Sequence, residues 1–213
     1  MADRRLWDIS QTLRPGLPVY PGDEPFRHGW TVEVGEGGSP VAVGWLHATT
    51  HCGTHLDAPR HWDRHGRSPA ELDPALFLGP CRVLDVRGAG SPLGPDALAP
   101  QMLRGCTRLL LRTRHGPWPE RWDPDYACVA AEAVRRLGEA GVRLLGIDTP
   151  SIDPVDSAEL PAHMAAKDTG MVLLEGLVLD AVPAGEYERI ALPLKLAGLD
   201  ASPVRAVLRE LPR

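Results

Sequence analysis

Within the stretch His51-Cys52-Gly53-Thr54-His55-Leu56-Asp57-Ala58-Pro59-Arg60-His61, imidazoles stand at positions 51, 55 and 61 and a carboxylate at 57. Neutral imidazoles and carboxylates are ordinary protein ligands for zinc and related divalent metals. A carboxylate has two oxygens, so Asp57 is able to bridge two ions, as two-metal hydrolytic sites require. All four positions are odd, and an extended chain alternates its side chains between faces, so a strand would gather them on one side. Gly53 and Pro59 disfavour a helix, and Ala58, preceding the proline, is pushed toward extended conformations. The bland alternative is a set of unrelated surface histidines in a polar loop. It accounts poorly for three histidines and an aspartate at this spacing.

A second metal needs ligands from elsewhere, and two residues stand out. Glu175 lies in the apolar run 171–179, which reads as a buried strand. Burying an unpaired carboxylate costs on the order of several kcal/mol, so Glu175 should be neutral, ion-paired or metal-bound. A buried salt bridge to an arginine is the competing reading. Gly176 beside it would let another segment approach closely. His163 falls in the first turns of a helix that starts near Pro161. A helical histidine alone is more often a surface or capping residue.

The string His51-x-Gly53-Thr54-His55-x-Asp57-x-Pro59-x-His61 resembles the signature of the metal-dependent cyclase-like hydrolases, above all their arylformamidase branch. The likeness extends to Trp7-Asp8-Ile9-Ser10, Pro21-Gly22-Asp23, the run 146–151, Leu173-Leu174-Glu175-Gly176 and the ending from Leu192 to Ala206. It implies a swivelling β/β/α fold and a homodimer. It also implies two zinc ions per subunit (manganese being the substitute), held by His51, His55, Asp57, His163 and Glu175 with Asp57 bridging. His61 then matches the catalytic acid-base, although its place beyond Pro59 also suits another ligand. The implied reaction is hydrolysis of N-formyl-L-kynurenine to L-kynurenine and formate, a step of tryptophan degradation. Tyr20 is a candidate substrate contact, its ring offering a flat stacking face on a loop. The family often carries Trp there, so substrate preference stays open. Isatin hydrolase, or another cyclic-amide or ester hydrolase of the family, is the nearer alternative. A non-enzymatic metal-binding module is the farther one, disfavoured because structural zinc sites are closed.

The elements that must position these residues are those of one α/β domain over 1–213, expected as a mixed sheet with flanking helices. The length suits one core. A net charge of -5 leaves no basic footprint for nucleic acid or anionic membrane. No long apolar run or signal pattern is visible, so the expectation is a soluble cytoplasmic protein. Cysteines 52, 81, 106 and 128 show no paired spacing, and Cys52, at an even position, should pack away from the site. In chain order, 6–10 reads as a strand, and glycines 35, 37 and 38 mark a hairpin-like region. A β-rich segment at 41–47 should deliver the motif at a strand end, and His65 beyond it should be solvated. Strands follow at 81–86, 108–112 and 142–147, with a short helix over 95–103 and an amphipathic helix over 125–140. Helix 125–140 before strand 142–147 argues a β-α-β unit with parallel pairing. Asp148 and Ser151, just past that strand, are candidates to orient ligands or, more simply, to close a turn.

Overall fold

A computed structural model describes residues 4–98 and 103–212. In chain order its main elements are β1 (Leu6–Asp8), β2 (Arg27–Val32), β3 (Val43–His47), β4 (His55–Asp57), β5 (Leu78–Asp85) and β6 (Arg108–Arg112). Next come α1 (Ala131–Glu139), β7 (Leu144–Ile147), α2 (Pro161–Thr169), β8 (Val172–Glu175), β9 (Gly185–Ile190), β10 (Ala201–Pro203) and β11 (Val207–Glu210).

The apolar runs of β6, β7 and β8 are buried on both faces, the mark of central parallel strands. Side-chain alternation divides them between two cores. Leu109, Leu111, Leu145 and Leu173 pack with Val134 and Leu137 of α1 and Ala162 and Ala166 of α2. Leu110, Leu144, Val172 and Leu174 face the other way, against Ile9, Leu56 and Leu208. The main sheet runs in the order β1-β11-β9-β5-β6-β7-β8-β4-β10. Its centre, β5 through β8, is parallel, and the outer pairings are antiparallel. Residues from both ends of this order share the second core, so the sheet curls onto itself. The β-α-β expectation holds: β6, α1 and β7 form a parallel crossover, and α2 repeats it from β7 to β8.

Several boundaries differ from expectation, for identifiable reasons. Helix α1 starts at Ala131 rather than 125, because the preceding backbone is used in tertiary pairing. Leu93 N–H donates to Cys128 O (2.7 Å), Val129 N–H to Ile152 O (2.8 Å) and Ala130 N–H to Leu93 O (3.0 Å). Val129 is therefore buried as extended chain, while Ala133, Val134 and Leu137 form the buried helical face. The helix expected over 95–103 is a short 3₁₀ turn, Pro95–Ala97, and the rest of that span falls partly on 99–102, outside the described residues. Strand β8 stops at Glu175 because Gly176 turns with φ +71°, although Leu177 and Leu179 remain buried. The first strand likewise ends at Asp8 rather than 10.

β2 and β3 form a separate antiparallel hairpin, closed by the glycine-rich turn that the sequence marks. Its side chains are unusually apolar for exposed positions: Trp30 is 55% exposed and Leu46 71%. Among the described residues, no helix is long and apolar enough to cross a membrane.

Candidate metal centre

The sequence motif does not lie along one strand. β3 ends in the hairpin, and a turn-rich segment separates it from β4, which is only His55-Leu56-Asp57. Alternation places His55 and Asp57 on one face, as expected. His51 and His61 reach the same place by turns instead. Gly53 (φ +69°) turns the chain between His51 and β4, and Pro59 starts a 3₁₀ turn that ends at His61. Antiparallel pairing sets Glu175, at the end of β8, directly opposite His55. Proline at the first position of α2 begins the helix that presents His163. Gly176 explains how the halves meet: a Cβ there would lie 2.3 Å from the carbonyl oxygen of Gly53. Two backbones touch here, where neither residue has a side chain.

The other four proposed ligands converge on Asp57, which is fully buried. His51 Nδ1 lies 3.0 Å from Asp57 Oδ1, and His55 Nε2 lies 3.4 Å from the same oxygen. His163 Nε2 is 3.7 Å from Asp57 Oδ2 and 3.7 Å from Glu175 Oε1; His55 Nε2 is 3.6 Å from Glu175 Oε2. The ligand atoms of His51, Asp57 and His61 all lie within 4.8 Å of one another, as do those of His55, Asp57 and Glu175. Asp57 belongs to both groups.

Each imidazole is oriented from behind. His51 Nε2–H donates to Asp200 (3.0 Å), His55 Nδ1–H to Gly53 O (2.9 Å), and His163 Nδ1–H to Asp153 (2.7 Å). The opposite nitrogens therefore face Asp57, the arrangement by which metal-ligating histidines are usually held. Ile152 N–H fixes Glu175 Oε1 at 2.8 Å, and no arginine pairs with Glu175 among the described residues. The salt-bridge alternative thus has no partner here. Both oxygens of Asp57 and Nε2 of His55 are buried without a hydrogen bond, the close approach of His51 being poorly aligned. Orphaned buried polar atoms are costly, and a divalent cation would satisfy all three together.

Burial opposes charge on these histidines, but the surrounding carboxylates outweigh it. Asp57 and Asp200 raise His51 to about 9; Asp57 and Glu175 raise His55 to about 10; Asp153, Asp57 and Glu175 raise His163 to about 10. Burial would push Asp57 up, yet the charge of His51 and the contacts from His163, His51 and His55 hold it well below the usual carboxylate range. The centre attracts positive charge strongly.

The Cyclase family model matches residues 7–154. A kynurenine formamidase of Maricaulis maris is 47% identical over 98% of this chain and 99% of its own length. A predicted metal-dependent hydrolase from Bacillus stearothermophilus superposes with a TM-score of 0.85 at 26% identity, covering 99% of this chain and 100% of that one. Isatin hydrolase A from Labrenzia aggregata gives 0.82 at 26% identity, covering 97% and 94%.

The chain belongs to the Cyclase family.

The metal-dependent structural relative and the donor set together support a metal cofactor for this Cyclase-family chain. The centre opens into a cavity of about 390 Å³, a size suited to a small organic ligand. Tyr20 lines it, but its hydroxyl donates to Val155 O (3.1 Å) and its ring meets Trp122 edge-on at 5.3 Å. Trp118 lines it too, its indole N–H held by Leu177 O at 2.7 Å. The residues behind the ligands, Asp153 and Asp200, escaped sequence reading: each is one aspartate among many, in a loop distant in sequence. Only the spacing Asp153 to His163, across a helix start, offered a clue. Asp148 orients no ligand; it accepts from Thr113 N (2.8 Å), Thr113 Oγ1 (2.6 Å) and Arg114 N (3.2 Å), joining two loops. Ser151 Oγ accepts from Asp153 N–H (3.2 Å), so it steadies the partner of His163. Cys52 is buried beside Leu17 and Phe26, and His65 is exposed, both as expected.

Proposed function

We propose that this chain is a metal-dependent arylformamidase that hydrolyses N-formyl-L-kynurenine to L-kynurenine and formate. The observation that carries the reading is Asp57: a buried carboxylate, unbonded at both oxygens, shared by two convergent groups of ligand-type side chains. The substrate is supported by the relatives, since the kynurenine formamidase shares 47% of aligned residues and isatin hydrolase A 26%. A structural, non-enzymatic metal site fits less well, because this centre lines an open cavity.

In this reading His51, His55, Asp57, His163 and Glu175 would hold two zinc ions, or manganese. When bound, such ions polarise a carbonyl and make hydroxide available near neutral pH. The chain's own residues supply the remainder. His61 lines the cavity, with its ring 4.4 Å from that of His51 and 5.6 Å from that of His163. Its Nδ1 faces Asp200 at 3.5 Å, which leaves Nε2 to carry the proton. Nε2 takes a proton from the attacking water and delivers it to the anilide nitrogen, which leaves poorly as an anion. Formate and the free arylamine result. Tyr20, Trp118 and Trp122 offer the aryl ring an aromatic wall.

Self-association belongs to the same proposal. An isolated hairpin is marginal in water, and one exposing Trp30, Trp45 and Leu46 calls for cover, which a second copy of the chain would provide. The four free, buried cysteines suit a reducing cytoplasm.

The test is formamidase turnover by metal-stripped protein, with zinc or manganese added back. Turnover of N-formyl-L-kynurenine that appears only with metal is the expected result. Bound metal with no turnover, or turnover of isatin instead, would overturn the substrate.

A further inference from the structure

Besides the proposed metal ligands, the cavity is lined by Arg114, which sits beside Trp118. Nothing in the hydrolysis of a formamide requires a cation there. Arg114 is nevertheless built into place. Its backbone N–H is fixed by the buried Asp148 carboxylate, and its guanidinium lies 5.2 Å from the Trp118 ring. Its hydrogen bonding is unfinished: Nη2 reaches Pro117 O only at 3.5 Å, and Nε is buried with no acceptor among the described residues. Asp148 does not complete it, since that carboxylate is taken up by Thr113 and the Arg114 backbone.

A partly desolvated guanidinium short of acceptors is a site for an anion, and its planar fork suits a carboxylate. Arg121 also lines the cavity but is exposed, so ordering it would cost more side-chain entropy. Asp23 and Asp123 also line the cavity, which disfavours a bare anion and suits one that carries an ammonium group as well.

We propose that Arg114 is a specificity-determining residue that binds the carboxylate of an amino-acid group on the substrate, so that the site selects aryl formamides bearing a zwitterion over plain aryl formamides. The assignment rests on the formamidase reading of this centre. It explains a cation at a cavity wall where the reaction itself uses none, and it gives Asp148 and Trp118 a purpose as the supports of that cation.

The experiment compares metal-loaded wild type, Arg114→Ala and Arg114→Lys on N-formyl-L-kynurenine and on 2-formamidoacetophenone, which lacks the amino-acid group. Charge-assisted hydrogen bonds of this kind imply that Arg114→Ala lowers the kcat/KM ratio of the first substrate to the second by about tenfold or more. The loss should lie in KM rather than kcat, and Arg114→Lys should recover part of it, having the charge without the fork. Equal losses on both substrates, or none on either, would overturn the proposal. Calorimetric binding of L-kynurenine to the same proteins separates the two readings. Wild type inactive on both formamides would sink the formamidase reading. The arginine assignment would then stand only if wild type binds L-kynurenine and Arg114→Ala weakens that binding.

Discussion

Asp57 shows how much a single buried side chain can demand of its surroundings. No well-aligned hydrogen bond reaches its carboxylate, so its negative charge is balanced by the imidazoles crowded around it or by a cation. Those imidazoles are raised from 6.5 to about 9 or 10, so near neutral pH they hold extra protons on the nitrogens that face Asp57. An incoming metal must displace those protons. Metal affinity is therefore expected to rise with pH through neutrality and level off above about 9 to 10, with proton release on binding; calorimetry in buffers of different ionisation heat checks this. Asp153→Asn should weaken metal binding by about 10- to 100-fold, because it removes the anion that orients His163, and competition with a chelator measures it. His61→Ala separates its two possible roles. Retained metal with turnover reduced at least ~100-fold is expected of an acid-base; undiminished turnover would remove His61 from the chemistry.

Between elements, close backbone approaches decide whether the centre assembles. Gly176 sits at φ +71° with a virtual Cβ 2.3 Å from Gly53 O, so Gly176→Ala must push apart the segments bearing His55 and Glu175. A loss of about 2 kcal/mol or more is expected from backbone strain plus overpacking, read as a lower denaturation midpoint of the metal-stripped protein. Gly138 makes the same argument for the helices. On α1, alanine would ordinarily stabilise a helix by about 1 kcal/mol. Here its Cβ would meet Thr169 of α2 at 2.5 Å, so packing overrides propensity and the substitution should destabilise.

Over the whole molecule, the central parallel strands bury both faces and the helices cover one of them, while the hairpin of β2 and β3 is left outside. Its exposed Trp30 and Leu46 predict that Leu46→Asp shifts the chain toward monomer in sedimentation, with metal content unchanged because no ligand lies on the hairpin. A monomeric wild type would remove the argument for a covered face.

What the sequence by itself determined follows from local physics. Apolar runs within 108–112 and 142–147 reveal strands, helical spacing over 125–140 reveals a buried stripe, and the types and spacing in 51–61 mark candidate ligands for a metal. Glu175 betrayed itself because a carboxylate in an apolar run must have a partner. The true start of α1 was hidden, because the backbone of 128–130 pairs with Leu93 and Ile152, distant partners that override local helical preference. The route by which His51 and His61 join His55 was hidden as well, since turns rather than a single strand carry them. Asp153, Asp200 and Arg114 were decided only by tertiary structure. Their chemistry comes from what each faces, and a polar residue in a loop has no local periodicity to announce its neighbour.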